Sequence, residues 1–170
     1  MTTARRIIEL LELEPHPIEG GFFRETYRSN RSIGAGHAPD GGHYQGSRSI
    51  GTAIYFLLTP ETFSEMHLLP TDELFHVYLG GPARMLQLFP DGGSRHYSLG
   101  HDLEKGERPQ LVVPAGVWQG TMLEPGVDFV LLGATMAPGF DYQDYVQGRR
   151  EPLIDRYPSE AELITRLTRL

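Results

Sequence analysis

The chain contains no cysteine in 170 residues. That absence excludes a disulfide framework, an iron–sulfur cluster and any thiolate zinc site, and it suits a reducing compartment, so a cytoplasmic location is expected. Positive charge is also scarce: 15 Lys and Arg face 22 Asp and Glu, a net charge of −7. Phosphate backbones want a basic face, so a nucleic-acid partner is not expected. Long apolar runs are missing as well. None approaches the roughly 18 residues that cross a bilayer, and Glu9, Glu12 and Glu14 interrupt the apolar stretch behind Arg5 and Arg6. Neither a membrane span nor a signal peptide fits. A small-molecule pocket or a protein partner is what elimination leaves.

What is present points to a folded β protein. A length of 170 residues suits one domain, 1–170, with a core large enough to need no covalent staples. Its 20 Gly and 13 Pro are scattered along the chain, as they are where many short strands are joined by turns. Residues 3–13 place Ile7, Ile8, Leu10, Leu11 and Leu13 at helical spacing behind Thr3 as N-cap, and Pro15 and Pro17 end that helix. "GGFFRETYRS" reads as a strand, and the glycine-rich residues 33–47 as a mobile surface loop. From residue 50 eight short strands follow at near-regular spacing: "GTAIYFLL", "FSEMHLL", "ELFHVYL", "ARMLQLF", "SRHYSLG", "QLVVP", "VWQGTML" and "DFVLLGATM". This pattern predicts an all-β sandwich or jelly-roll barrel, with a core over about 17–148. Ser159 and Glu162 form a capping-box pattern for a closing helix over about 159–169.

Chemistry concentrates in "FSEMHLLPTDELFHVYLGG". Read as two strands around a Pro70-Thr71 turn, its alternation places Glu65, His67 and Leu69 on one face, and Glu73, Phe75 and Val77 on one face of the return strand. His67 and Glu73 would then converge across a hairpin. His76 would point the opposite way unless a bulge near Asp72 shifts the register. A histidine beside a carboxylate is oriented and made more basic, as proton abstraction next to a carbonyl requires.

The segment resembles the first motif of the cupin superfamily, with His67 and Glu73 at the histidine and glutamate positions and Gly80 at the terminal glycine. Leu69 stands where a second histidine belongs. "VVPAGVWQG" resembles the second motif through Pro114 and Gly116, with Gln119 at its histidine position. Together with "EPHPIEGGFFRETYRS", "APGFDYQDY" and "RYP", these stretches make the chain similar to a cupin family catalogued as a domain of unknown function (DUF985) over about residues 10–158. The resemblance implies a jelly-roll barrel with short N- and C-terminal helices, and a homodimer. It also implies a shape like that of the sugar-nucleotide 3,5-epimerases (RmlC-like cupins), in which an arginine and an acid on an early strand bind substrate. Arg24 and Glu25 are the loose counterparts here. Metal-binding cupins use three histidines and a glutamate; a divalent metal in this chain would fall to His67, Glu73 and Gln119, with His76 as a further donor only if the register shifts.

The site read from the sequence therefore has His67, Glu73 and His76 as catalytic candidates. Arg24, Glu25, Tyr55 and Gln119 are the candidates for binding substrate. Each has a plainer alternative: His67 as a pocket histidine bonded to Glu73, Glu73 as a solvated turn residue, His76 as a structural residue at a dimer face, Arg24 in a surface ion pair, Tyr55 and Phe75 as core, and Trp118 as packing. His37, His43, His96 and His101 take no role. The leading reading is an isomerase- or epimerase-like enzyme acting on a polar, sugar-like or anionic metabolite. A metal-dependent oxygenase or hydrolase and a non-catalytic ligand-binding dimer are the alternatives.

Overall fold

A computed structural model describes residues 2–34, 44 and 46–169. The loop expected over 33–47 therefore falls mostly outside the described residues, as do His37 and His43. Helix α1 spans Ala4–Leu11, and the Thr3 side chain accepts a hydrogen bond from the Arg6 N–H at its start. It ends earlier than the spacing predicts. Glu12 takes a left-handed conformation (φ 52°) and its N–H returns to the Ile8 carbonyl, closing the last turn before either proline is reached.

Thirteen strands follow in chain order: β1 Glu14–Pro15, β2 Phe22–Arg28, β3 Ser32–Ile33, β4 Arg48–Ser49, β5 Thr52–Leu58, β6 Phe63–Leu68, β7 Glu73–Gly80, β8 Ala83–Leu88, β9 Ser94–Leu99, β10 Gln110–Val113, β11 Trp118–Leu123, β12 Val130–Met136 and β13 Val146–Gln147. The eight strands expected after residue 50 are β5 to β12. One sheet runs β1-β2-β5-β12-β7-β10, a second runs β13-β6-β11-β8-β9, and β3 pairs with β4. No strand pairing joins the two large sheets among the described residues, so the fold is an open all-β sandwich rather than a closed barrel.

The topology corrects one expectation directly. β6 and β7 do not form a hairpin: β6 pairs with β11 and β13, whereas β7 pairs with β12 and β10. Residues 69–72 carry the chain from one sheet to the other. Both edges of each strand are taken by partners distant in sequence, which strand alternation cannot reveal. His67 and Glu73 thus come from facing sheets.

The main core lies between the sheets, where Phe56, Leu58, Phe75, Leu132 and Ala134 of one meet Met85, Leu99 and Leu123 of the other. Helix α1 covers the outer face of the six-stranded sheet, with Ile7 packed on Leu57 and Leu131. On the outer face of the five-stranded sheet, Met66, Leu86 and Leu88 lie under helices α2 (Arg150–Arg156) and α3 (Ala161–Arg166) through Leu153, Ile164 and Leu167. The single closing helix expected over 159–169 is thus a pair. Pro158 opens a short 3₁₀ turn, Pro158–Glu160, and α3 begins beyond it without a side-chain cap, so Ser159 does not serve as N-cap. Trp118 packs into this cluster, as its parity predicts.

Candidate functional site

The site begins with a bulge. Along β11, Gln119 pairs with His67 and Thr121 with Ser64, so three steps on β6 match two on its partner. The extra residue lies between Ser64 and His67, not at Asp72, and it turns Ser64 and His67 toward the same face. The backbone groups freed at Met66 find partners outside the ladder. Its N–H donates to the Leu167 carbonyl (2.7 Å) and its carbonyl accepts from the Gly148 N–H (2.6 Å).

His67 is 1% exposed. Its Nδ1 lies 2.7 Å from the Glu65 carbonyl oxygen, which can only accept, so Nδ1 carries the proton and Nε2 a lone pair. The ring stacks on Tyr145 at 5.0 Å. Burial pushes its pKa below the ordinary histidine value, against the opposing pull of Glu73. Glu73, at the start of β7, is also buried. One of its oxygens accepts from Gln119 Nε2 at 2.6 Å. Burial, reinforced by the charge of Glu19, raises its pKa to about 7.

The turn before β2 supplies residues that the sequence reading did not single out. Gly20 and Gly21 have φ of +101° and +71°, and a Cβ on Gly20 would fall 2.3 Å from the Phe63 carbonyl oxygen. Only glycine lets the turn press so closely on β6. The Glu65 N–H bonds the Glu19 carbonyl at 3.0 Å, and the Ser64 hydroxyl donates to the Glu19 carboxylate. Burial raises the Glu19 pKa to about 7, with Ser64 pulling it the other way. His16 stands at the start of the same turn. Its pKa is pushed down to about 4 by burial first, then by the charges of His67 and Arg169.

These elements enclose a narrow cleft of about 60 Å³ between the β1–β2 turn and the ends of β5, β7 and β12. Glu73, Glu19, His16, Thr52 and Tyr142 are part of its polar lining; Phe23, Ile54, Leu69, Met136 and Phe140 are among its apolar walls. Glu25 and Arg28 also line it, locked together by two hydrogen bonds of 2.9 and 2.7 Å, while Arg28 further donates to the Phe140 carbonyl. The segment after Phe140 is held by a buried ion pair, Arg48 to Asp144 at 2.6 Å.

The expected residues divide into two groups. Glu73 and Glu25 line the cleft, with His67 and Gln119 one layer behind Glu73. Arg24 does not reach it: its guanidinium bonds the Leu11 carbonyl and pairs with Glu12 at 2.7 Å. Tyr55 packs with the cluster under α1. His76 lies on the outer face, where Nε2 meets the Thr135 hydroxyl at 3.0 Å and Nδ1 meets the Gln110 amide at 3.2 Å. Among the described residues no three His, Asp or Glu side chains converge as a metal-holding group. His67 and Glu73 supply two donors, Leu69 supplies none, and Gln119 turns its amide nitrogen, which does not ligate, toward Glu73. This set falls short of the three protein donors that a divalent ion ordinarily takes.

Residues 5–147 match the family model described as Cupin superfamily (DUF985). The chain belongs to that family. This cupin is 32% identical over 133 residues to the uncharacterized protein YML079W of Saccharomyces cerevisiae, a match covering 75% of the chain and 66%, just under two thirds, of the yeast protein. Among solved structures it resembles a hypothetical protein from Leishmania major (29% identity, TM-score 0.88, 99% of this chain and all of that one). Protein SO0799 from Shewanella oneidensis is comparably similar (34% identity, TM-score 0.86, 99% of each chain). At 16% identity and a TM-score of 0.54, covering 92% of this cupin and 38% of that chain, oxalate decarboxylase of Bacillus subtilis shares the fold alone.

Proposed function

We propose that this cupin is an isomerase- or epimerase-like enzyme that moves a proton on a small polar metabolite, using Glu73 and Glu19 as an acid–base pair with His67 behind Glu73. The observation that carries the reading is the placement of two carboxyl groups, Glu73 buried and Glu19 part-buried, on the wall of one largely apolar cleft. Like charges so placed do not readily ionise together, and burial brings both groups near pH 7, so the pair holds about one proton at neutral pH. The ionised member removes a proton from a carbon next to a carbonyl, leaving an enediolate. The protonated member returns a proton to the opposite face of that carbon, or to the neighbouring carbon once the hydroxyl proton has passed from one enediolate oxygen to the other. Composition is unchanged and the two carboxyls have exchanged states. His67 is a positioning residue in this scheme, a buried neutral ring in the layer behind Glu73.

Solvent exchange tests the reading. The parent chain is incubated in D₂O with sugar phosphates, sugar nucleotides, keto acids and hydroxy-carbonyl compounds, and deuterium entering carbon is measured. Incorporation is expected with at least one compound, and Glu73→Gln lowers its rate by about 10²–10⁴. Binding without incorporation would instead support the non-catalytic reading. A stoichiometric transition metal in protein purified without a histidine tag would favour the metal-dependent one.

A further inference from the structure

His16 is held in the cleft wall by backbone hydrogen bonds and ring contacts. Its Nδ1 receives the backbone N–H groups of Glu19 at 2.9 Å and Ile18 at 3.4 Å. Backbone N–H groups only donate, so Nδ1 is an acceptor and the ring proton sits on Nε2. The ring is fixed edge-on to Phe23 at 4.6 Å, with Phe56 and Tyr142 also beside it. Nε2 has no hydrogen-bond partner among the described residues. No side-chain nitrogen or oxygen buried among them is left without a partner, so this Nε2–H opens onto solvent space. At His16 that space is the cleft.

The rest of the lining restricts what can sit opposite that donor. Arg28 is the one cation among the described lining residues, and its guanidinium is occupied by Glu25 and the Phe140 carbonyl. A phosphate or a second carboxylate would enter beside Glu19 and Glu73 with no free cation to receive it. A neutral ligand with an acceptor oxygen meets no such penalty.

We propose that His16 contacts the ligand directly, its Nε2–H donating to an acceptor oxygen of a small uncharged carbonyl compound held beside Glu73. The assignment rests on reading this cleft as the ligand site and narrows its substrate class to uncharged, hydroxy-carbonyl or sugar-like molecules. A lowered histidine pKa keeps the ring neutral across the physiological range, so Nδ1 stays an acceptor for the turn and Nε2–H is offered without a positive charge.

The test uses the ¹⁵N-labelled full chain, with its histidine ring nitrogens followed by NMR while hydroxyacetone or inorganic phosphate is added. In the parent chain His16 is expected as the Nε2–H tautomer, with hydroxyacetone shifting its resonances and phosphate having no effect. His16→Asn places an amide oxygen near the Nδ1 position, so the turn keeps its acceptor, but nothing replaces Nε2–H. This variant is expected to fold with a near-parental melting temperature and to bind hydroxyacetone about three- to tenfold more weakly, the range of one lost hydrogen bond. Equal affinity in His16→Asn would overturn the donor role, and a stronger response to phosphate would overturn the uncharged class. The two readings fail separately: if hydroxyacetone engages His16 but no compound takes up deuterium, the acid–base scheme falls and the donor assignment stands. Deuterium uptake unaffected by His16→Asn gives the reverse.

Discussion

Glu65 and Glu73 stand eight positions apart in sequence and are both withdrawn from water, at 1% and 8% exposure, yet their surroundings differ in kind. Glu65 is enclosed by donors: the Tyr145 hydroxyl at 3.1 Å, the Gln147 amide at 3.2 Å and the Arg169 guanidinium at 3.5 Å. Glu73 has one amide donor and a neighbouring carboxyl, and it faces a cleft. A buried carboxylate given enough donors acts as a structural tie. One given a single donor and a like-charged neighbour is held close to its protonated form and can exchange a proton with whatever enters.

The largest effect that would break this contrast is expected at Glu65. Glu65→Ala leaves the Tyr145 and Gln147 donors without an acceptor and should cost about 3 kcal/mol of stability, read by urea denaturation. A loss below about 1 kcal/mol would mean that the donors find other partners.

Glu73 should behave differently, and its signature lies in pH. Glu19 and Glu73, raised from 4.5 to about 7, keep protons in the folded state that the unfolded chain releases. The stability they contribute is full below about pH 4.5 and is lost as pH rises through 7. His16, lowered from 6.5 to about 4, works with the opposite sign: its contribution is present above 6.5 and is lost as pH falls through 4. Between pH 5 and 6.5 these slopes oppose each other, and above 6.5 the carboxyl slope is left alone. In Glu73→Gln the fall in melting temperature from pH 6.5 to 8 should be shallower than in the parent chain. An identical slope would remove Glu73 as a titrating group.

The smallest effect is expected at His76. With both ring nitrogens engaged on the outer face of the sheet, His76→Ala should change stability by less than about 1 kcal/mol. The same face displays exposed Tyr78 and Leu79, the apolar surface that the proposed homodimer would use. Sedimentation of this variant beside the parent chain therefore reads the pairing of copies: a dimer weakened by the substitution fits that proposal, and a monomeric parent chain rejects it.

Much of the fold was legible because Gly, Pro and Asp punctuate each strand and apolar residues fill them. Side-chain parity correctly set His76 against Glu73 and Trp118 against Gln119. Strand pairing was not legible: β6 and β7 look like a hairpin around Pro70 and Thr71, and nothing local says that their partners lie some fifty residues away. Glu19 and His16 escaped notice because "PHPIEGG" reads first as the end of a helix and the opening of a strand. The available signal was the double glycine beside a glutamate and a proline-flanked histidine, a turn able to press ionisable side chains against a sheet. Arg24 drew attention by analogy, but the β2 alternation that puts Phe23 in the core sends Arg24 to the opposite side.

Arg169 donates to the Ile18 carbonyl at 2.6 Å, across 151 positions of the chain, while also reaching Glu65 on β6. The turn bearing His16 and Glu19 is thereby fastened to residues beyond the last helix. Closing a loop of that length forfeits chain entropy that local contacts cannot recover. The two sheets have shorter-range pairings to draw on, whereas this tie is lost whenever residue 169 leaves the turn. Fraying of the C-terminal residues would loosen the wall that carries His16 and Glu19 while leaving the sandwich beneath it intact.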